Sequence, residues 1–435
     1  MTNAMNRRRF VQLGAGAVAV VGLGACDSQR SGGTAFTTPD LPGSTGHATT
    51  PSTNAATPTS PTTTGDTPAA ASGATFGGRR LVVVQLNGGN DLLNSLPPTD
   101  GRYRDLRPTI AIPEADIVTL AGLTDAGLHP GLGGLARFWD AGQLAIIRGI
   151  GFDVPNRSHF VSMDRWWRAD QLTQPGWLGR VLDGLPAEPP PLFATALGGG
   201  APLLNGGSAQ PTVITSPTSF RWVDFDPAWL TAMGGDGSDL AGMARHAFQR
   251  TVAAVDDFAA ITGGAAKADE LPNREGGATI VDGLSVAAQL LAADAGTQLV
   301  VVSAGGFDTH ANQVAEQAVL LEDLASGVDA FFGAVEAAGL GDDVLVVVTS
   351  EFGRRAAENG SGGCDHGAGG LSLAVGRGVR GGVFGEVDLA HLLDGDIRPN
   401  VAPQALFTRC LDWLGVDAEQ ILGARDDSLD LLVRD

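Results

Sequence analysis

Three nearly unbroken apolar runs, 81–86, 298–303 and 344–349, constrain this chain more than any other feature, because each is dominated by valine and leucine. Apolar residues that do not alternate with polar ones fit strands buried on both faces, as in a parallel sheet with helices on either side, rather than half-exposed antiparallel strands. A fourth run, 144–148, reads the same way. Between the runs lie segments with apolar residues at helical spacing: 131–141, 157–168, 280–293 and 313–338. Strand and helix alternate, so the expected fold class is α/β, a doubly wound, mostly parallel sheet. The segment 185–275 is less regular, with proline and glycine clusters at 186–191 and 198–207. It reads as an insertion over one edge of the sheet, with a helical part near 240–260.

The chemistry-bearing residues sit at or beyond the ends of these runs, where open α/β sheets collect their ligands. After 81–86 comes Asn87-Gly88-Gly89-Asn90-Asp91. Its glycines let the chain turn sharply, and the carboxylate that follows can hold a divalent cation or simply bond its own backbone in the turn. After 298–303 comes Gly305-Gly306-Phe307-Asp308-Thr309-His310. Asp308 and His310, two apart in an extended segment, point the same way and can share one ion, or Asp308 can serve a loop hydrogen bond. Glu351 ends the run 344–349 at the mouth of the core, where a carboxylate needs a partner. That partner is a metal or a guanidinium, Arg354 or Arg355. Asp365-His366-Gly367 follows the flexible stretch 360–363 and can return an imidazole over the sheet.

A nucleophile candidate, Ser158, lies in Pro155-Asn156-Arg157-Ser158-His159-Phe160, after the run 144–148 and at the start of an expected helix. Exposed N–H groups and the helix dipole suit an oxyanion there. An ordinary N-cap by Asn156 or Ser158 is the alternative. His159 is a candidate metal ligand or acid–base group beside it.

The N-terminus says where such chemistry operates. Arg7-Arg8-Arg9-Phe10 is a twin-arginine export pattern, and a short apolar segment leads from it to Leu23-Gly24-Ala25-Cys26. That ending resembles a lipobox, so residues 1–26 read as a lipoprotein signal ending at an acylated Cys26, with a plain signal peptide or an uncleaved anchor as the alternatives. Residues 27–78 are Thr, Pro, Ser, Gly and Ala with almost no large apolar groups, which makes them a tether that cannot offset its ordering entropy. The core is then 79–435. Loss of three arginines and no acids with residues 1–25 takes the net charge from −20 to −23. A nucleic-acid partner is excluded on that charge, and the membrane is reached through a lipid only. Cys364 and Cys410 are left to pair or to remain free thiols. The absence of G-x-G-x-x-G after the first run removes a nicotinamide or flavin enzyme.

Taken together, Gly-Gly-Asn-Asp (88–91), Leu-His-Pro (128–130), Arg-Ser-His-Phe (157–160), Gly-Trp-Leu-Gly-Arg (176–180), Gly-Phe-Asp-Thr-His (306–310), Ser-Glu-Phe-Gly-Arg (350–354) and Asp-His-Gly (365–367) resemble the DUF1501 family of twin-arginine-exported bacterial proteins. That family is placed in the alkaline phosphatase and sulfatase superfamily. The resemblance implies an alkaline phosphatase-like core and one or two divalent ions (Zn, Mn, Ca or Mg). Asp91 and Glu351 would bind an ion near the nucleophile Ser158, and Asp308, His310 and His366 would bind the other. Where superfamily enzymes have Asp-His, this chain has Glu351-Phe352, and Leu92 stands where relatives have glycine. The implied function is hydrolysis of a small-molecule or polymeric phosphate or sulfate ester outside the cytoplasm. A non-catalytic cell-surface binding or scaffold protein that keeps the fold is the alternative.

Overall fold

The computed structural model describes residues 76–217, 220–221, 239–263, 279–293 and 295–433. The expected signal segment 1–26, nearly all of the tether and parts of 185–275 lie outside the described residues. Eight strands form one sheet: β1 (Arg80–Leu86), β2 (Leu144–Ile150), β3 (Ala194–Leu197), β4 (Thr212–Ile214), β5 (Leu299–Ala304), β6 (Val344–Ser350), β7 (Gly370–Val375) and β8 (Gly382–Phe384). Their order across the sheet is β4-β3-β5-β1-β6-β7-β2-β8. All pairings are parallel except those of β7, which runs against both β6 and β2.

The principal helices are α1 (Leu92–Ser95), α2 (His159–Arg168), α3 (Trp177–Asp183), α4 (Leu240–Thr262), α5 (Ile280–Ala292), α6 (Gln313–Ala337) and α7 (Pro403–Trp413). Several start where sequence chemistry predicts. Thr279 caps α5 by accepting from Asp282 N, and Asp239 caps α4 by accepting from Gly242 N. The expected helix 131–141 instead opens as a 3-10 turn, Pro130–Leu135, capped by His129 Nδ1, and becomes α-helical only over Ala136–Asp140. Gly131, Gly133 and Gly134 lie in that first turn, and glycine is the poorest helix former after proline. Among the described residues, no helix is long and apolar enough to cross a membrane.

Alternate residues of the central strands feed two separate cores. Val82, Val84, Val300, Val302, Val346 and Val348 pack with α5 and α6 on one face. Leu81, Val83, Leu299, Val301, Leu345 and Val347 pack with Trp166, α3 and α7 on the other. Two-sided burial is why these runs carry no polar alternation, and each fully buried Val or Leu contributes about 1.5–3 kcal/mol. The segment 185–275 supplies β3 and β4, which extend the sheet beside β5 rather than lying over its edge. Both are too short, at 4 and 3 residues, to stand out among the surrounding prolines and glycines.

What positions the site is the register. Leu86 lies opposite Ala304 on one side and Ser350 on the other. The loops beginning at Asn87, Gly305 and Glu351 therefore leave the sheet side by side, although their sequence separations exceed two hundred residues between the first and the others.

Candidate metal centre

The β1 loop crosses closest to its neighbours at Gly88, whose φ is +125°. A Cβ there would overlap the Asp308 backbone nitrogen, so only glycine lets the two loops touch. Gly88 N donates to Glu351 Oε1 at 2.8 Å, which ties this turn to the end of β6. Helix α2 then brings His159 over the same carboxylate. Its Nδ1 lies 2.7 Å from Glu351 Oε1, and Trp166, two turns along α2, donates Nε1–H to the Glu351 carbonyl at 2.9 Å.

Three imidazoles share one arrangement. His159 Nδ1 faces Glu351 Oε1, His366 Nδ1 lies 2.8 Å from the Arg157 carbonyl, and His310 Nδ1 lies 3.3 Å from Asp365 Oδ1. A carbonyl or an ionised carboxylate only accepts, so each Nδ1 carries a proton, and any Nε2 without one turns a lone pair inward. All three Nε2 atoms point at Asp308. His366 Nε2 and His310 Nε2 are 3.0 and 3.1 Å from its Oδ1, and His159 Nε2 is 3.4 Å from its Oδ2. His310 Nε2 and His366 Nε2 are themselves 2.8 Å apart. Two lone pairs at that separation need positive charge between them, either a proton on one ring or a cation bound by both. His159 Nε2 is buried and makes no hydrogen bond.

Among the described residues His159, Asp308 and His366 each bring one potential ligand atom within 4.8 Å of the others, and His310 adjoins two of the three. Imidazoles whose outer nitrogens are committed to oxygen acceptors are what a metal-binding histidine requires. The donor set fits a divalent ion.

A cation is already present at the rim of this group. The Arg354 guanidinium is fully buried and donates to Asp308 Oδ1 at 2.7 Å. It also donates to the carbonyls of Gly89 at 2.7 Å, Cys364 at 2.8 Å and Phe307 at 2.9 Å, and to that of Gly88. Burial alone would raise the Asp308 carboxyl, but the hydrogen bonds from Arg354 and His366, with the Arg354 and His310 charges, hold it at about 2. For His159 the hydrogen bond to Glu351 outweighs burial and raises the imidazole above its usual range.

The structure thus brings together His159, Asp308, His310, Glu351 and His366, with two reassignments of partner. Glu351 faces His159, not Arg354 or Arg355; its Oε1 takes the Gly88 N–H and His159 Nδ1, and its Oε2 lies 3.1 Å from the Ser350 hydroxyl, whose one proton also faces the Leu86 carbonyl at 2.7 Å. Asp91 is not brought into the group. Its carboxylate caps α1 through Leu93 N at 3.0 Å, accepts from Gln313 Nε2, and pairs with Arg107 at 2.5 Å (Nη1–Oδ2) and 2.9 Å (Nη2–Oδ1). Ser158 sits exposed at the N-cap position of α2, next to His159. Its hydroxyl makes no capping bond, while its backbone N–H donates to Asn156 Oδ1 at 2.8 Å. Cys364 and Cys410 are free and buried, and burial pushes both thiols up to about 12. Sequence reasoning missed Arg107 and Asp396. Each is one charged residue in an irregular stretch, with no motif to mark it.

A family model described as a protein of unknown function, DUF1501, matches residues 159–431. No curated protein matches the sequence. Solved structures similar to this chain include a protein in the alkaline phosphatase superfamily from Vibrio parahaemolyticus, 10% identical over 81% of this chain and 70% of that one, with a TM-score of 0.38. The lipoteichoic acid synthase LtaP from Listeria monocytogenes is 11% identical over 82% and 76%, with a TM-score of 0.37. The soluble domain of lipooligosaccharide phosphoethanolamine transferase A from Neisseria meningitidis is 12% identical over 80% and 94%, with a TM-score of 0.32.

Proposed function

The chain belongs to the DUF1501 family, and we propose that it is an exported, metal-dependent hydrolase of phosphate or sulfate esters with Ser158 as the nucleophile. The observation that carries this reading is the convergence of three Nε2 atoms on Asp308, each ring held by an oxygen acceptor at Nδ1. His159, Asp308, His310 and His366 would hold the ion. Imidazole-rich sites suit Zn²⁺ and its transition-metal neighbours better than Ca²⁺ or Mg²⁺. One ion is the expected load, since the carboxylates of Asp91 and Glu351 are occupied by protein donors. Such an ion, when bound, stabilises developing negative charge and acidifies a nearby hydroxyl.

The residues themselves divide the remaining work. Glu351 keeps the His159 ring in one tautomer and orientation. Arg354 neutralises Asp308 and locks the loops that carry the ligands. Ser158, exposed and free of a capping bond, is available to attack an ester in line. Arg157 and Arg355, beside the site, are paired with Asp394 and Asp396, so an ester anion depends on the bound ion for its main charge partner.

Because Ser158 makes no capping bond, Ser158→Ala should cost less than the roughly 1 kcal/mol of a lost N-cap. The same change should abolish release of nitrophenol from aryl phosphate or sulfate esters while the metal content stays native. Turnover at near-native rate in that variant would sink the nucleophile. One observation favours a second reading, a binding protein without turnover: Arg354 already provides a positive charge at Asp308. A native protein that takes up no Zn²⁺ or Mn²⁺ and turns over no ester in a broad panel would establish it.

Export and anchoring complete the proposal. Supported by the Arg7-Arg8 and Leu23 to Cys26 patterns, the mature protein is held at the outer face of the cytoplasmic membrane by acylated Cys26. Cys26→Ser should move it from the membrane to the soluble fraction, and unchanged partitioning would refute the lipid anchor.

A further inference from the structure

Asp396, which no metal or nucleophile reading involves, connects to the site through Arg157 and the main chain. The segment 354–356 is paired on one side through Arg354 with His366, and on the other through Arg355 with Asp396. Asp396 ends a tight turn in which Leu393 and Asp396 exchange backbone hydrogen bonds of 2.9 and 3.0 Å. Asp394 and Gly395, both at positive φ, form its centre. Ala356 N donates to Gly395 O at 3.1 Å, which docks the turn on the segment.

The Asp396 side chain is 0% exposed. Its Oδ2 accepts from Arg157 Nη2 at 2.7 Å and Nε at 3.2 Å. Its Oδ1 has no hydrogen bond, the Arg355 Nε lying 3.8 Å away. A buried carboxylate with an unsatisfied oxygen is costly. Burial indeed pushes its carboxyl up in spite of the arginine. Arg157, by contrast, is 40% exposed and would be well solvated without the pair. Stability alone therefore gains little from this arrangement. What it does fix is the chain at Arg157, whose carbonyl holds His366 Nδ1 at 2.8 Å and whose next residues are Ser158 and His159.

We propose that Asp396 is a positioning residue for the metal centre: by clamping Arg157 it fixes the carbonyl that takes the His366 Nδ1–H, and so aims His366 Nε2 at Asp308. The inference rests on the metal reading above for its consequence, but not for its geometry. Groups that orient a ligating histidine typically change metal affinity by about 10–100-fold when removed.

The test uses the full mature chain with Asp396→Asn, which keeps the shape but weakens the charged clamp. Zn²⁺ affinity is measured by competition with a chromophoric chelator, and the His366 ring tautomer by ¹⁵N NMR without metal. Zn²⁺ binding should weaken about 10–100-fold, and the ring should lose its uniform Nδ1–H signature, while the unfolding midpoint of the metal-free protein stays close to native. If Asp396→Asn does not fold, the double variant Arg157→Gln with Asp396→Asn, which leaves no buried charge unpaired, should reproduce both effects. Native Zn²⁺ affinity together with an unchanged His366 tautomer in the variants would overturn the proposal. A native protein that binds no Zn²⁺ would instead sink the metal reading, and the ring tautomer would still decide whether Asp396 acts through Arg157.

Discussion

Arg107→Ala should destabilise the protein by about 3–5 kcal/mol, the range for breaking a buried ion pair and leaving one charge uncompensated. Arg107 and Asp91 are 0% and 1% exposed in their side chains. The guanidinium also donates to Asn94 Oδ1 at 2.7 Å, to the Ala356 carbonyl at 2.9 Å and to the Arg355 carbonyl at 3.0 Å. Its loss would orphan the Asp91 carboxylate beneath the β1 loop and release the segment that carries Arg354. Urea unfolding should show a lower midpoint with an unchanged slope. Asp91→Ala should cost a similar amount, and the double variant less than the sum, because the two residues share one interaction. This pair of results separates two roles for Asp91. As the partner of Arg107, its removal leaves the metal content per folded molecule unchanged. As a ligand, its removal would lower metal binding at little cost to the metal-free protein.

Asp308→Ala should remove metal binding and lower ester turnover by roughly 10²–10⁴-fold, the several kcal/mol of charge stabilisation that a bound ion provides. Asp308 is the carboxylate on which His159, His310 and His366 converge, so this change removes the common partner of all three rings. His366→Ala should act in the same direction. Native protein should gain about 2.7 kcal/mol of stability at a metal concentration one hundred times Kd, and Asp308→Ala should gain none. His47→Ala, in the tether, serves as the silent control. Metal binding should also weaken as the pH falls, because a protonated Nε2 cannot ligate. The raised pKa of His159 places the onset of that loss above the ordinary imidazole value of 6.5. Equal thermal shifts with Zn²⁺ in the native and Asp308→Ala proteins would remove this site.

The three central strands could be read from the chain because burial on both faces leaves a local mark, an unbroken apolar run, in each of β1, β5 and β6. The Gly-rich, Asp- and His-bearing stretches could be placed at their carboxyl ends for the same reason. β7 was not visible. Its sequence, GLSLAV, carries a buried serine, and its reversed direction answers to neighbours more than twenty residues away in each case. Helices α5 and α6 were legible from their periodicity to within a residue, whereas β3 and β4 were too short to carry any.

Which residues carry charge near the site is likewise a property of sequence, but which charge meets which is not. Glu351 could have faced Arg354, and Asp91 could have faced an ion. Tertiary structure gave Glu351 to His159, Arg354 to Asp308, Arg107 to Asp91 and Arg157 to Asp396. The physical reason is that apolar burial is a property of each residue in its own strand or helix, while an ion pair is a property of two residues at a few ångströms. These pairs join residues between 16 and 239 positions apart. The order of the strands across the sheet, with helices packed on both faces, brings them within reach.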